Sequence, residues 1–395
     1  VTELSGDMAG ESETWSGHSK KATTELIQIH RGCADLRAGR PLIVRSGSDA
    51  VAVLAVDGLD QTMLDTFRQD VAAEPPHLLV TDRRAAAIGL TAYEATAVSL
   101  SPNATPEDLM TLSAGSEVKV GHTTSPGGTA EEAALEIAKC AELLPALIAA
   151  PVHPDAASLD PTPLVVNAET ALDYRRQVAE TLKMVAEAPV PLRGDIDSRF
   201  IVFRDIMGGT AVAVMVGQPD PKQPLRVRVH SACATGDIFG SRRCDCGDQL
   251  RLALERIDQL GGGCVVYLDQ EGRGLGLANK LRAYNLQDLG LDTVDANTAL
   301  GYHEDERDYT AAGRIVSQLG WRQIVLLTNN PTKIDALRAA GIEVSGRIPV
   351  LAPVNAENRR YLEAKAARAG HFLDQLGSGD GPVAAVSSVK AGSRD

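Results

Sequence analysis

Three of the six cysteines in this 395-residue chain fall within fourteen residues, C-A-T-G-D-I-F-G-S-R-R-C-D-C, as Cys233, Cys244 and Cys246. Along one helix the first and second would stand about 16 Å apart, so they meet only if the chain turns back on itself between them. Thr235, Gly236, Asp237, Gly240 and Ser241 supply residue types that permit such a turn. Six cysteines are too sparse for a disulfide framework, and a reducing compartment would keep them as thiols. Three soft thiolates suit Zn²⁺, and three protein ligands with an open fourth position is the catalytic arrangement, in which the metal activates a water near neutral pH. Two alternatives stay open: a structural site completed by a remote Cys or His, or three unliganded thiols. Cys33, Cys140 and Cys264 sit in apolar helix and strand patterns and read as small core residues.

The rest of the composition narrows the classes. With 44% hydrophobic and 23% charged residues the chain is globular, with length for two or three domains, which sets aside disorder, collagen and coiled coil as global readings. The longest apolar candidate, AELLPALIAAPV (141–152), is too short to span a bilayer and is broken by Pro145 and Pro151. The start, VTELSGDMAGESETWSGHSK, lacks the basic and apolar stretches of a secretory signal, so a cytoplasmic location is expected. Residues 201–375 hold 21 basic and 21 acidic side chains, so the net charge of −13 resides in residues 1–200. That balance disfavours nucleic-acid binding, and an anionic substrate would need local positive charge.

Periodicity predicts an α/β fold made of two mixed-sheet domains. Residues 1–22 and 376–395 read as disordered tails, lacking an apolar face to offset ordering entropy. Residues 23–155 alternate helix (TELIQIHRGCADLRAG, stopped by Gly39) with strands such as PLIVRSG and AVAVLAVDG. Four prolines in PVHPDAASLDPTP mark a boundary, and 156–183 is expected to be a linker and helix, the helix running from Ala168 to about Glu187. A second domain, 184–375, contains LRVRVHSAC, where Leu225, Val227 and Val229 alternate with Arg226, Arg228 and His230; one face reads as core, the other as a cationic edge. Near its end, Asn330 is placed to cap a helix with Pro331 at its first position.

Three further segments could carry chemistry. Gln270 to Gly276 (QEGRGLG) could cradle an anion at a helix start, with Arg273 pairing phosphate, although a plain strand-to-helix turn gives the same pattern. TNNPTK offers Thr328 and Lys333 at a helix N-terminus, against the plainer reading of a capped helix with a solvated lysine. HEDERDY (303–309) carries Asp305 and Arg307, which alone would pass for surface charges. Tyr284 lies one turn from Lys280 and from Asp288.

These blocks occur in the order found in GTP cyclohydrolase II, which opens riboflavin biosynthesis. From about Met184 onward the chain resembles that family through RVHSACATGDIFGSRRCDCGDQL, QEGRGLGLANKLRAYNLQDLGLDTVDAN, DERD and LLTNNPTK. The resemblance implies the family's fold for this domain, one Zn²⁺ per subunit on Cys233, Cys244 and Cys246, and Mg²⁺ with the triphosphate. It places GTP contacts on Arg228, Val229, His230, Ser231, Ala232, Gln249, Glu271, Gly272, Arg273, Thr293, Thr328 and Lys333. It further implies Asp305 as acid/base, Arg307 as the arginine proposed to attack the α-phosphate, and Tyr284 as the active-site tyrosine. The implied reaction hydrolyses GTP to 2,5-diamino-6-(5-phospho-ribosylamino)pyrimidin-4(3H)-one, formate and pyrophosphate, in a homodimer. Ala232, Arg242 and Asp269 depart from the family pattern, and Ala232 and Asp269 keep open a relative that opens a uracil nucleotide; the other alternative is a non-catalytic nucleotide-binding regulator with structural zinc.

The first domain resembles 3,4-dihydroxy-2-butanone 4-phosphate synthase through ADLRAGRPLIV, HLLVTDRRAAAIGL, Gly121 with His122, and TAEEAALEIAKCAELL. That enzyme needs an acidic metal-binding loop after its first strand. Here RSGSDAVAVLAVDG offers only Asp49 and Asp57, so the domain is expected to be a degenerate, non-catalytic partner serving dimerisation or regulation.

Overall fold

The computed structural model describes residues 20–116 and 121–350. The expected C-terminal tail, the end of the second domain beyond residue 350 and nearly all of the N-terminal tail lie outside the described residues. Helix Lys20–Arg37 starts inside the stretch expected to be tail. Leu26, Ile29, Cys33 and Leu36 recur at helical spacing and are buried, so their burial carries the polar turn ahead of them into the helix.

Two seven-stranded sheets organise the described chain. The first runs β5 (Thr124–Pro126), β4 (Ala95–Val98), β3 (His77–Thr81), β6 (Ala146–Pro151), β2 (Asp49–Ala55), β1 (Leu42–Ser46), β7 (Leu164–Asn167). It is antiparallel except where β7 joins β1 in parallel. β1 and β2 form a hairpin whose two-residue turn begins on Gly47 at φ +56°, a conformation available to glycine at little cost. The residues expected to form a linker therefore belong in part to this sheet. A strand of four residues, Leu164–Asn167, could not be separated from loop by local pattern; what fixes it is the open edge of β1. The expected single helix after it is interrupted at Asp173, giving Ala168–Leu172 and Tyr174–Glu180, and Lys183 starts a strand instead of continuing the helix to Glu187.

The second sheet runs β14 (Glu343–Ile348), β13 (Gln323–Leu327), β11 (Leu225–Ser231), β12 (Gly263–Leu268), β10 (Thr210–Val216), β9 (Ser198–Arg204), β8 (Lys183–Pro189). The β12-β11-β13-β14 half is parallel and the β12-β10-β9-β8 half antiparallel. β11 is central, which corrects the expected cationic edge: Arg228 and His230 are buried like Val227 and Val229. In the parallel half, chain leaves the carboxyl ends of β11, β12 and β13 side by side, the place where such sheets present ligand sites.

The sheets do not mark independent cores. Leu275, Ala283, Leu286, Ala296, Leu300 and Tyr302, from the segment after β12, join Leu54, Phe67, Leu78, Val80 and Ile148 of the first domain in one buried cluster. Each fully buried leucine there stabilises by about 1.5–3 kcal/mol. Polar contacts fix the docking. Arg282 makes a bidentate pair with Asp57 at 2.6 and 2.8 Å. Tyr302 Oη donates to the Leu143 carbonyl at 2.6 Å, and Thr81 Oγ1 to that of Gly301 at 2.8 Å.

Candidate active site

The cysteine loop closes as its spacing requires. Cys233 and Cys244 Sγ lie 3.7 Å apart, and the three thiol sulfurs lie within 4.8 Å of one another. Among the described residues this is the one group of three or more Cys, His, Asp or Glu donors near enough to hold a metal ion. Gly236 permits the convergence, since a Cβ there would fall 2.9 Å from Cys244 Sγ and 3.2 Å from Cys233 Sγ. The Cys233 thiol is held well below its usual range by hydrogen bonds from Cys244 and Cys246, against burial, with help from Lys280, whose Nζ donates to Cys233 Sγ at 3.0 Å. Proximity to Cys233 pushes Cys244 and Cys246 upward. Three converging sulfurs, one of them held as thiolate with the Lys280 ammonium beside it, are a donor set suited to a soft divalent cation.

The cleft beside the thiols encloses about 1030 Å³ open to solvent. β11 delivers Arg228, His230, Ser231, Ala232 and Cys233; the turn after β12 delivers Gln270 to Arg273; the chain after β13 delivers Thr328 and Lys333, with Asn330 capping helix Pro331–Ala339 as expected. Gln249, Tyr284, Thr293 and Arg307 also line the wall. The lining holds five cations, Arg228, Arg273, Lys280, Arg307 and Lys333, against the carboxylates of Asp245 and Glu271. An acidic chain thus concentrates local positive charge where an anion could enter.

Two sequence-predicted residues do not line the cleft. Val229 is fully buried and contributes its carbonyl, which accepts from Lys333 Nζ at 2.9 Å. Asp305 stands behind Arg307, forming a bidentate pair with it whose Nε–Oδ1 arm is 2.7 Å. Burial alone would raise the Asp305 carboxyl, yet Arg307 outweighs burial and holds it below the usual carboxylate range. Glu271 does line the cleft, but its carboxylate serves the protein: it accepts from Ala234 N at 2.6 Å, Lys280 Nζ at 2.8 Å and Gly272 N at 2.9 Å. The expected helix-start cradle at QEGRGLG is a left-handed turn, with Gly272 at φ +62° and Arg273 at φ +64°. Asp269 is exposed and faces a separate cavity between the domains, so its charge does not enter this cleft.

Asp237 carries more of the site than its place between the cysteines suggested. It accepts from the Cys233 backbone N–H at 3.0 Å, from Tyr267 Oη at 3.0 Å and from His230 Nε2 at 3.2 Å, tying the first thiol to the imidazole. Burial, partly offset by Asp237, lowers His230 and keeps it neutral, stacked on Tyr267 with its Nδ1 buried and unpartnered. Lys280 and Asp245 also escaped the sequence reading. An i to i+4 relation between Lys280 and Tyr284 was the available signal for the first; Asp245, between two cysteines, gave none beyond its position. The Tyr284 ring lies under Arg243, whose Cζ is 4.4 Å from the centroid.

Four buried polar atoms lining the cleft have no protein partner: Arg228 Nε, His230 Nδ1, Ser231 Oγ and Gln270 Oε1. Tyr309 Oη, outside the cleft lining, is also buried without a partner, its ring near Lys333 and Arg307. Each would cost about 1–3 kcal/mol if left unsatisfied, so their concentration fits a polar ligand.

Residues 183–349 match the family model described as GTP cyclohydrolase II. The GTP cyclohydrolase-2 of Xylella fastidiosa (strain 9a5c) is 43% identical over 369 residues, covering 89% of each chain. The chain belongs to the GTP cyclohydrolase II family. The GTP cyclohydrolase-2 of Azospirillum brasilense is 39% identical over 362 residues, 87% of this chain and 94% of that one. Alignments of this length include the first domain as well as the second. Among solved structures, RibBX, a two-domain 3,4-dihydroxy-2-butanone 4-phosphate synthase from A. baumannii, aligns with 82% of this chain and 99% of its own at 16% identity, with a TM-score of 0.31 that is too low to carry an argument. The expected α/β class and family membership of the second domain are borne out.

Proposed function

We propose that this GTP cyclohydrolase II binds Zn²⁺ through Cys233, Cys244 and Cys246 and opens the imidazole ring of GTP, with Mg²⁺ accompanying the triphosphate. The carrying observation is the convergence of three thiols beside a cationic cleft lined by unpartnered buried polar atoms. When bound, zinc would supply Lewis acidity and a water activated near neutral pH for attack at C8. The chain's own groups divide the remaining work. Arg228 and His230 present Nε–H and Nδ1 to the ligand, while Asp237 fixes the imidazole. Arg273, Arg307 and Lys333 are the cations available to the triphosphate. Asp305 pairs with and orients the Arg307 guanidinium, which favours stabilisation of charge at the α-phosphate over the nucleophilic role the family resemblance suggested. Tyr284, carried between Lys280 and Arg243, is assigned to the later part of the ring opening.

The first domain acts as a non-catalytic partner in this reading. Asp57, one of its two candidate metal-loop acids, is committed to Arg282. A homodimer in the cytoplasm completes the proposal; among the described residues no helix is long and apolar enough to cross a membrane. The test is incubation of zinc-loaded protein with GTP and Mg²⁺, following formate and pyrophosphate, repeated with Cys246→Ser. Stoichiometric release of both, abolished together with zinc binding in the variant, supports the reading. Zinc bound without formate release from GTP, but with opening of a uracil nucleotide, would replace the substrate.

A further inference from the structure

The catalytic loop 303–309 is held from the first domain, and the contacts converge on one residue, Glu306. Its backbone N–H donates to the Arg273 carbonyl at 3.1 Å, within the second domain. Its other polar groups face the first domain. The carbonyl accepts from Arg175 Nη1 at 3.1 Å, and the carboxylate lies 3.1 Å from Lys139 Nζ, both side chains of that pair being 9% exposed. The same carboxylate accepts from the His303 backbone N–H at 2.8 Å, closing the loop on itself. Lys139 ends helix Thr129–Cys140 and Arg175 lies in helix Tyr174–Glu180; Glu136 bridges the two cations, 3.1 Å from Arg175 Nε and 3.8 Å from Lys139 Nζ.

Arg307, assigned to the chemistry, and Asp305, the carboxylate that orients it, flank this residue. Glu306 faces the first domain while its neighbours pair with each other, Arg307 Nε on Asp305 Oδ1 at 2.7 Å, and Arg307 enters the cleft. A lysine at 9% exposure on an amphipathic helix is costly unless paired, and its closest carboxylate partner is in the loop 167 positions later. A displacement of about 1 Å in catalytic groups costs on the order of 100-fold in rate, so the holder of such a loop acts on turnover.

We propose that Lys139 and Arg175 are positioning residues of the cyclohydrolase reaction, and that the first domain, having lost the acids of a catalytic domain, is kept as the clamp that sets Asp305 and Arg307. This rests on the assignment of those two residues under the proposed function. The clamp touches the loop and not the thiols, so it governs the rate of the step at the loop while leaving metal binding intact.

The experiment compares wild type with Lys139→Met, Lys139→Arg and Arg175→Gln in the full chain, measuring zinc content, formate and pyrophosphate release, and hydrogen exchange of the loop amides without substrate. Lys139→Met should bind zinc stoichiometrically, keep KM for GTP within about twofold and lose about 10- to 100-fold in kcat, with faster exchange across 303–309. Lys139→Arg should recover most of the loss. Arg175→Gln, at a side chain 27% exposed, covers the case in which Lys139→Met fails to fold, and should show the same split with a smaller loss. Unchanged kcat with unchanged exchange overturns the clamp, as does a loss matched by zinc release or unfolding. Because exchange is read without GTP, a wild type inert toward GTP would overturn the proposed function and still leave the clamp decided by the loop amides.

Discussion

Buried polar groups are treated in opposite ways at Arg84 of the first domain and at the cleft of the second. In the first domain Arg84, 2% exposed, donates to four backbone carbonyls: Leu112 at 2.8 Å, Gly115 at 2.8 Å, Thr111 at 3.1 Å and, across to the second domain, Ala299 at 2.6 Å. It also illustrates cost, since burial lowers this arginine to about 10. At the carboxyl ends of β11 and β12, by contrast, polar atoms of Arg228, His230, Ser231 and Gln270 are buried without protein partners. A satisfied buried polar group specifies one packing; an unsatisfied one fits a ligand that arrives later. The same fold thus contains a buried arginine committed to its own packing and a cleft where several buried polar atoms await a ligand.

The sharpest way to break this comparison is Gly236→Ala. A Cβ 2.9 Å from Cys244 Sγ has no room, so the thiols separate, and zinc affinity with formate release should fall by about 100-fold or more, read by metal analysis and the formate assay. Circular dichroism should show the sheets unchanged. Next in size, Arg84→Met leaves buried carbonyls without donors and should cost about 3–5 kcal/mol in urea unfolding. Retention of wild-type stability would show that the first domain's polar network is dispensable.

Two tyrosines sharpen the contrast at lower energy. Tyr302 Oη donates to Leu143 and accepts from Asn279 Nδ2 at 2.8 Å, so Tyr302→Phe should lose about 1–2 kcal/mol of stability and little in KM. Tyr309 Oη is buried without a partner, so Tyr309→Phe should be neutral or stabilising while kcat/KM drops about 10-fold. The reverse pattern would remove the distinction between scaffold and site. The smallest effect concerns pH. Burial pushes Glu306 up, but Lys139 and the His303 N–H outweigh it and hold the carboxyl below its ordinary 4.5. A depressed carboxylate adds stability above its unfolded value and loses it as pH falls through its folded one. The stability gap between wild type and Glu306→Gln should therefore be flat above about pH 6.5, shift as His303, coupled to Glu306, takes up its proton, and close below 4.5.

Much of the site was legible because its signals are local. Cys233, Cys244 and Cys246 lie close in sequence, and the glycines that let them meet lie between them. Thr328, Asn330 and Lys333 follow from one strand and one capped helix. Reading β11 by alternation alone placed Arg228 and His230 on an open edge; its central position in the sheet, invisible to a period of two, buried them. The family resemblance made Glu271 a ligand contact; it lines the cleft, and what no local pattern showed is that its carboxylate also closes on Ala234 and Lys280.

The sequence by itself determined the two α/β units and the metal-competent thiols, since periodicity, turn residues and spacing are properties of neighbours along the chain, and its motif blocks carried the resemblance that gave the family. Tertiary structure decided that residues 164–167 complete the first sheet, that the segment from Leu275 to Tyr302 packs in the first domain's core, and that Lys139 meets Glu306. Those pairings join residues far apart in the chain. They are selected by which open strand edge, apolar face or buried charge needs a partner once the chain is compact, and no local pattern records that need.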